Sequence, residues 1–181
     1  MGAAVALTGT PGTGKSAVGR LLGRSLRVIE VTDLARHLGA ARGRGRNVEV
    51  DLGKLVRAAR KDRTLEGYDV VVGHLAHFLP VSGVAVLRCH PIELRRRLGR
   101  ARRGTPAERQ ANLVCEATDL ILSEARATGR PVFEVDTTHR SVAEVAAEVR
   151  RWIRRGGPPR WGTVGWLADP RVTAHLLDRS R

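Results

Sequence analysis

One octapeptide constrains this chain more than any other stretch: Gly9-Thr10-Pro11-Gly12-Thr13-Gly14-Lys15-Ser16. It fits G-x-x-x-x-G-K-[ST], the phosphate-binding P-loop pattern. The small apolar run Ala3 to Leu7 precedes it, as a buried strand should. Val18, Leu21, Leu22 and Leu26 follow at helical spacing. Strand, glycine loop and helix together form the context that turns a pattern match into a site. Glycines let the backbone curl until several N–H groups face one anion, and the helix dipole adds to the attraction. Gly12, Thr13, Gly14, Lys15, Ser16 and Ala17 are then the phosphate-binding residues. Lys15 supplies a compact positive charge near the β- and γ-phosphates, and the Ser16 hydroxyl can ligate Mg²⁺.

The rest of the chain alternates strand and helix signals. Further strands are expected at Arg27 to Val31, Asp69 to Val72, Gly83 to Leu87 and Pro131 to Val135. Thr32 or Asp33 caps a helix to about Leu38, and the Gly- and Arg-rich stretch Gly39 to Asn47 reads as a mobile loop. Asp51 to Arg60 is helical. His90-Pro91 opens a helix to Leu98, which Arg100 to Pro106 breaks. Glu108 to Thr128 reads as one long helix, with Leu113, Ala117, Leu120 and Ile121 inward and Gly129 as its stop. Ser141 caps a last helix with Val142, Val145, Val149 and Trp152 inward. This order predicts an α/β fold: a five-stranded parallel sheet with helices on both faces and a small lid. Residues 1–155 form the P-loop domain. Gly156-Gly157-Pro158-Pro159 marks a boundary, and residues 156–181 form an extension that docks back through its tryptophans. Ligands of such a sheet sit beyond the carboxyl ends of the strands, so Asp33, His74, Arg88 and Asp136-Thr137-Thr138 become candidates.

Composition adds limits. The chain has 181 residues, 42% of them hydrophobic, and no apolar run of membrane-spanning length. Its first residues lack a charged leader region, and Cys89 and Cys115 are too few for a disulfide framework, so a reducing cytoplasm is expected. The net charge is +14, and only Lys15, Lys54 and Lys61 among the 32 basic residues are lysines. Phosphate-rich partners, nucleotides or RNA, are one reading, and an arginine-biased solvated surface is the other. Arg88 to Arg103 holds seven arginines against one acid, Glu93, and Arg150 to Arg160 holds five against none.

The loop GTPGTGKS, the segment Thr32-Asp33-Leu34-Ala35-Arg36, the run from Gly73 to Pro80 (GHLAHFLP), Val86-Leu87-Arg88 and the spacing Asn112…Glu116…Asp119 resemble the archaeal and eukaryotic adenylate-kinase-6 type proteins. Gly165-Trp166-Leu167 resembles the archaeal members. These are small nucleoside monophosphate kinases also tied to maturation of the small ribosomal subunit. The resemblance implies ATP on the P-loop with Mg²⁺, and AMP or another nucleoside monophosphate in a region spanning about residues 31–51. It implies possible contact with a small-subunit ribosomal protein and rRNA, and no membrane. In the D-L-x-R pattern the arginine meets the acceptor's phosphate, which makes Arg36 the clamp. Asp33, one turn away, orients that arginine or a magnesium-bound water; the bland alternative is a surface ion pair. A lid falls at about residues 101–111, with Arg102 as its arginine and Arg103 next in line. Thr105 stands where the family has an aromatic residue.

His74 follows a strand end, where it could orient a water or touch the γ-phosphate, or else bond a backbone carbonyl. His74 and His77 also suggest a metal pair, without a third ligand at sensible spacing. Thr138, with Thr137, either cradles the adenine or forms a plain turn. One departure is sharper: eukaryotic members carry an Asp that helps hold Mg²⁺ where this chain has Val72. Either Asp33 and the phosphates hold the metal through water, or hydrolysis is weak. The alternative function is a ribosome-assembly ATPase whose kinase activity is incidental.

Overall fold

The computed structural model describes residues 4–43, 48–102 and 104–177. Strand β1 (Val5–Gly9) leads through the glycine loop into helix α1 (Lys15–Leu22), and β2 (Val28–Glu30) runs directly into α2 (Val31–His37). A hairpin of β3 (Ala41–Arg42) and β4 (Glu49–Val50) precedes α3 (Leu52–Asp62). Then come β5 (Val70–Val72), β6 (Gly83–Arg88), α4 (Pro91–Arg100), α5 (Pro106–Ala117), α6 (Leu120–Ala127), β7 (Val132–Asp136), α7 (Val142–Arg154) and α8 (Pro170–Leu177).

Five strands pair in parallel in the order β2-β5-β1-β6-β7. Alternate residues of each strand feed opposite faces, and both faces are covered, as a parallel sheet requires. Ala6, Val71, Val84 and Val132 join the core under α2, α3 and α6. Leu7, Val72, Ala85, Leu87 and Val135 join the core under α1 and α7, with Val145, Val149 and Trp152. Strand order reverses at β1, so the glycine loop opens at the crevice where ligands of such sheets bind. Among the described residues, no helix is long and apolar enough to cross a membrane.

Several expectations need correction. Glu30, not Thr32 or Asp33, is the N-cap residue of α2, and its side chain makes no capping bond. The helix starts earlier because β2 passes into it without a loop. Gly39 to Asn47 is not all loop: Ala41–Arg42 pairs with Glu49–Val50, while residues 44–47 lie outside the described residues, as does Arg103. The long helix from Glu108 to Thr128 is two helices, separated at Thr118-Asp119, where Asp119 takes a left-handed conformation (φ 56°). The break turns the helix phase, so Leu120 points outward at 48% exposure. Val142 is also exposed, at 39%.

After α7 the Gly-Gly-Pro-Pro run reverses the chain and lays it along the outer edge of β7. The Arg160 N–H donates to the Val132 carbonyl and the Glu134 N–H donates to the Arg160 carbonyl, both at 2.8 Å. Trp166 is buried beside Ala117 and Val172. Trp161 stays half-exposed, with the Arg126 guanidinium 3.5 Å from its ring centroid.

Candidate functional site

The glycine loop is shaped by close approach. A Cβ on Gly9 would lie 2.3 Å from the Leu87 carbonyl oxygen, and one on Gly12 would strike Leu94 and Leu98 of α4 at 2.8 and 2.9 Å. Both residues have positive φ, so glycine is needed on steric and conformational grounds. Lys15 reaches back across the loop and donates to the carbonyls of Gly9 (2.7 Å) and Thr10 (3.0 Å). Buried Thr13 closes the turn by donating its hydroxyl to the Thr10 carbonyl at 2.9 Å.

A cleft of about 750 Å³ opens in front of this loop. Gly12, Gly14, Lys15, Ser16 and Ala17 line one wall. Glu30, Thr32 and residues 48–50 line the second, and Arg97, Leu98 and Ala101 of the α4 end line the third. His74 lies at its floor edge beside Val72 and Gly73. Partial enclosure lowers the His74 pKa, and Lys15 and His77 add to the effect, so the ring is neutral at pH 7. His77 does not join it as a metal pair. Its Nδ1 is 3.1 Å from the Thr8 hydroxyl and its Nε2 is 3.2 Å from a Glu124 oxygen, in the core behind the sheet end.

Glu30 is a cleft residue that sequence reading missed. It is half-buried and lines the cleft together with Ser16. Burial raises its pKa from the ordinary glutamate value, with the nearby Ser16 side chain opposing the shift and the Asp33 charge adding to it. The only sequence signal was an acid closing an otherwise apolar strand. Asp33 and Arg36 are placed differently. They pair with each other at 2.6 Å, with side chains 61% and 46% exposed, and neither lines the cleft.

A smaller hollow lies on the other side of the loop, lined by Gly12, Thr13, Gly14, Arg97, Thr137, Arg140 and Val142. This explains the exposure of Val142, which forms its wall. Arg97 separates the two hollows and is anchored by donating to the carbonyls of Thr137 (2.7 Å) and Thr138 (2.8 Å). Thr137 faces this hollow. Thr138 instead accepts from the His90 N–H at 2.9 Å and binds the Asp136 carboxylate. Arg102 is exposed just past cleft-lining Ala101, in a left-handed conformation (φ 46°). Cys89 is buried, and burial pushes its thiol up to about 12, which excludes it as a nucleophile at neutral pH.

Behind the loop lies a buried ionic network. Arg88 donates to Glu116 (2.8 Å) and Glu134 (2.6 Å) and bonds Asp119. Glu116 also accepts from the Thr10 hydroxyl at 2.5 Å, the Cys89 N–H at 3.0 Å and the Trp166 indole at 3.1 Å. Glu134 accepts from the Thr163 N–H and hydroxyl. The P-loop is thus tied through Thr10 to the sheet, to the α5–α6 break and to the C-terminal segment. The motif residues Glu116 and Asp119 hold the loop from behind and do not reach the cleft.

The donors at the loop's end are oxygens only, the Ser16 hydroxyl and the Glu30 carboxylate. Among the described residues no cluster of three His, Cys, Asp or Glu side chains could cage a metal alone. That set suits Mg²⁺, which takes one or two protein oxygens and completes its shell with phosphates and water.

Comparison with known proteins agrees with this geometry. The family model of the AAA domain matches residues 5–119. A protein named "Putative adenylate kinase" from Thermococcus onnurineus is 36% identical over 96% of this chain and 97% of its own length. One of the same name from Archaeoglobus fulgidus is 40% identical over 91% of this chain and 92% of its own. Among solved structures, a gluconokinase from Sinorhizobium meliloti aligns with TM-score 0.54 at 20% identity, covering 86% of this chain and 93% of that one. A shikimate kinase from Bacteroides thetaiotaomicron aligns with TM-score 0.50 at 17% identity, over 84% and 98%. At those identities the structures speak for the fold alone, that of P-loop kinases. The chain belongs to the AAA domain family and, within it, to the archaeal proteins that carry the adenylate kinase name, the adenylate-kinase-6 type group that its motifs resemble.

Proposed function

We propose that this protein is an ATP:nucleoside monophosphate phosphotransferase, with AMP as the acceptor. The carrying observation is the cleft that joins three walls: the P-loop end, Glu30 to Thr32 with Val48 to Val50, and the end of α4. Two phosphate-bearing substrates can meet there, with the donor's base on the Arg97–Thr137 side of the loop. An acceptor phosphate oxygen bonds to the γ-phosphorus as the bond to the β,γ-bridging oxygen breaks, leaving ADP on both sides. No side-chain nucleophile is needed, and positioning and charge neutralisation carry the rate. Lys15 leaves the Gly9 and Thr10 carbonyls for the β- and γ-phosphates. Mg²⁺, held by Ser16 and a carboxylate, neutralises the phosphates when bound. Neutral His74 orients a water or a γ-oxygen. Arg36 exchanges its Asp33 partner for the acceptor's phosphate, and Arg102, just past the end of α4, closes over the transferring group.

The test is ADP formation with ATP alone, with ATP plus AMP, and with Lys15→Ala. AMP should stimulate turnover strongly. Lys15→Ala should lower it by several orders of magnitude, because the developing charge loses its nearest cation. Near-normal turnover in that variant would sink the assignment. Arg36→Ala should raise the KM for AMP roughly ten- to hundredfold while that for ATP changes little, since a charge-assisted bond contributes about 1.5–3 kcal/mol.

A second reading, an ATPase working in small-subunit maturation in the cytoplasm, draws on one observation. Arg151, Arg154 and Arg155 are exposed at the end of α7, and Arg151 and Arg155 line a groove remote from the cleft. Stimulation of ADP formation by small-subunit particles and not by AMP would favour it.

A further inference from the structure

We infer that Glu30 is the carboxylate that holds the divalent cation at the phosphates, in the place the motifs suggest for Asp33; this deepens the kinase reading and rests on it. The sheet register carries the argument. Glu30 pairs with Val72 across β2 and β5, so the two side chains leave the sheet on the same face. That face is the one under α1. A Cβ on Gly19 of α1 would lie 2.9 Å from a Val72 methyl. Glu30 therefore projects toward the start of α1, where it lines the same cleft as Ser16. A serine hydroxyl and a carboxylate that line one cleft can share a hard cation, the hydroxyl through its lone pairs and the carboxylate directly or by accepting a hydrogen bond from cation-bound water. A carboxylate one strand over thus supplies what the apolar Val72 cannot.

Charge makes the same point. A carboxylate facing a triphosphate across one cleft is repelled unless a cation stands between them. Asp33 is engaged elsewhere, at 2.6 Å from Arg36, and does not line the cleft. If Glu30 served only as a counter-charge for Lys15 and Arg20 in the nucleotide-free protein, its removal would leave cation binding untouched.

The experiment titrates Mn²⁺, followed by its electron paramagnetic resonance signal, onto the full chain bound to a non-hydrolysable ATP analogue. Glu30→Gln should weaken Mn²⁺ binding by on the order of tenfold. Asp33→Asn should stay within about twofold, as a surface change should. In chelator, the analogue alone should bind Glu30→Gln as tightly as wild type or more tightly, because a negative charge has left the cleft. That reversal separates a cation role from general damage, which would weaken both. Unchanged Mn²⁺ affinity in Glu30→Gln, or equal loss with and without metal, would overturn the assignment. Wild type that phosphorylates AMP beside such a result would leave the kinase reading standing and remove Glu30 alone. Wild type that takes up no analogue at all would remove both.

Discussion

His77 has no solvent exposure, and burial pushes its imidazole down to about 4. An unfolded chain holds a proton on the same ring up to about pH 6.5. Between those values the unfolded state binds the extra proton, so acidification favours unfolding. The stability tied to neutral His77 is complete above pH 6.5 and is lost as pH falls toward about 4. Its ceiling is about 3 kcal/mol by linkage, lowered by any pairing of the charged ring with Glu124. Urea midpoints measured from pH 7 to 4 should fall more steeply in wild type than in His77→Gln. Parallel curves would show that the ring titrates normally. At this scale the sequence was partly legible. Spacing marked Lys15, Ser16 and the glycines, because the anion site is made by consecutive backbone. It did not mark Glu30 or Arg97, whose neighbours lie on other elements: Ser16 in the shared cleft for the one, Thr137 and Thr138 for the other. Nor did it separate the two histidines, since the turn after β5 sends His74 to the cleft and His77 to the core.

At the scale of elements, the five sheet strands and most helix starts were legible, while the start of α2, the β3–β4 hairpin and one helix break were not. Pro91 and Pro106 sit in first turns, and Ser141 and Thr105 make complete capping boxes, so local chemistry announced those helices. Apolar spacing continues through Ala117, Leu120 and Ile121 with no Gly or Pro between. The break follows from tertiary structure: Asp119 turns left-handed so that its carboxylate meets Arg88. Asp and Asn tolerate that conformation better than Ala. Asp119→Asn should lose the ion pair, and Asp119→Ala should lose it and about 1 kcal/mol more from backbone strain. Chemical denaturation of the two variants checks this, and equal losses would place the whole effect in the ion pair. Because Arg88 also binds Glu116, which accepts from the P-loop Thr10, both variants should loosen nucleotide binding.

At the scale of the molecule, the sheet follows from alternation and short connections, whereas the division of labour among the arginines depends on where α7 ends. A helix that follows a parallel strand runs back, so the end of α7 lies at the amino-terminal end of the strands, opposite the P-loop; a Cβ on Gly83, at the start of β6, would lie 3.2 Å from the Trp152 ring. Of the basic run near it, Arg150 donates to the Leu21 carbonyl and Arg160 is paired with Glu148, so these two serve the fold. Arg151, Arg154 and Arg155 are exposed there, far from any phosphate the cleft holds. If they meet rRNA, binding of small-subunit particles should weaken steeply with salt, because each neutralised phosphate releases counterions. Replacing all three with Gln should flatten the log–log salt slope by about two, taking the single-strand value for three contacts. The AMP-dependent rate should stay within about twofold, since the changes are remote from the chemistry. An unchanged slope would return the patch to an arginine-biased solvated surface. A fall in the kinase rate instead would mean that the α1–α7 packing, through which Arg150 holds the end of α1, transmits the change to the glycine loop.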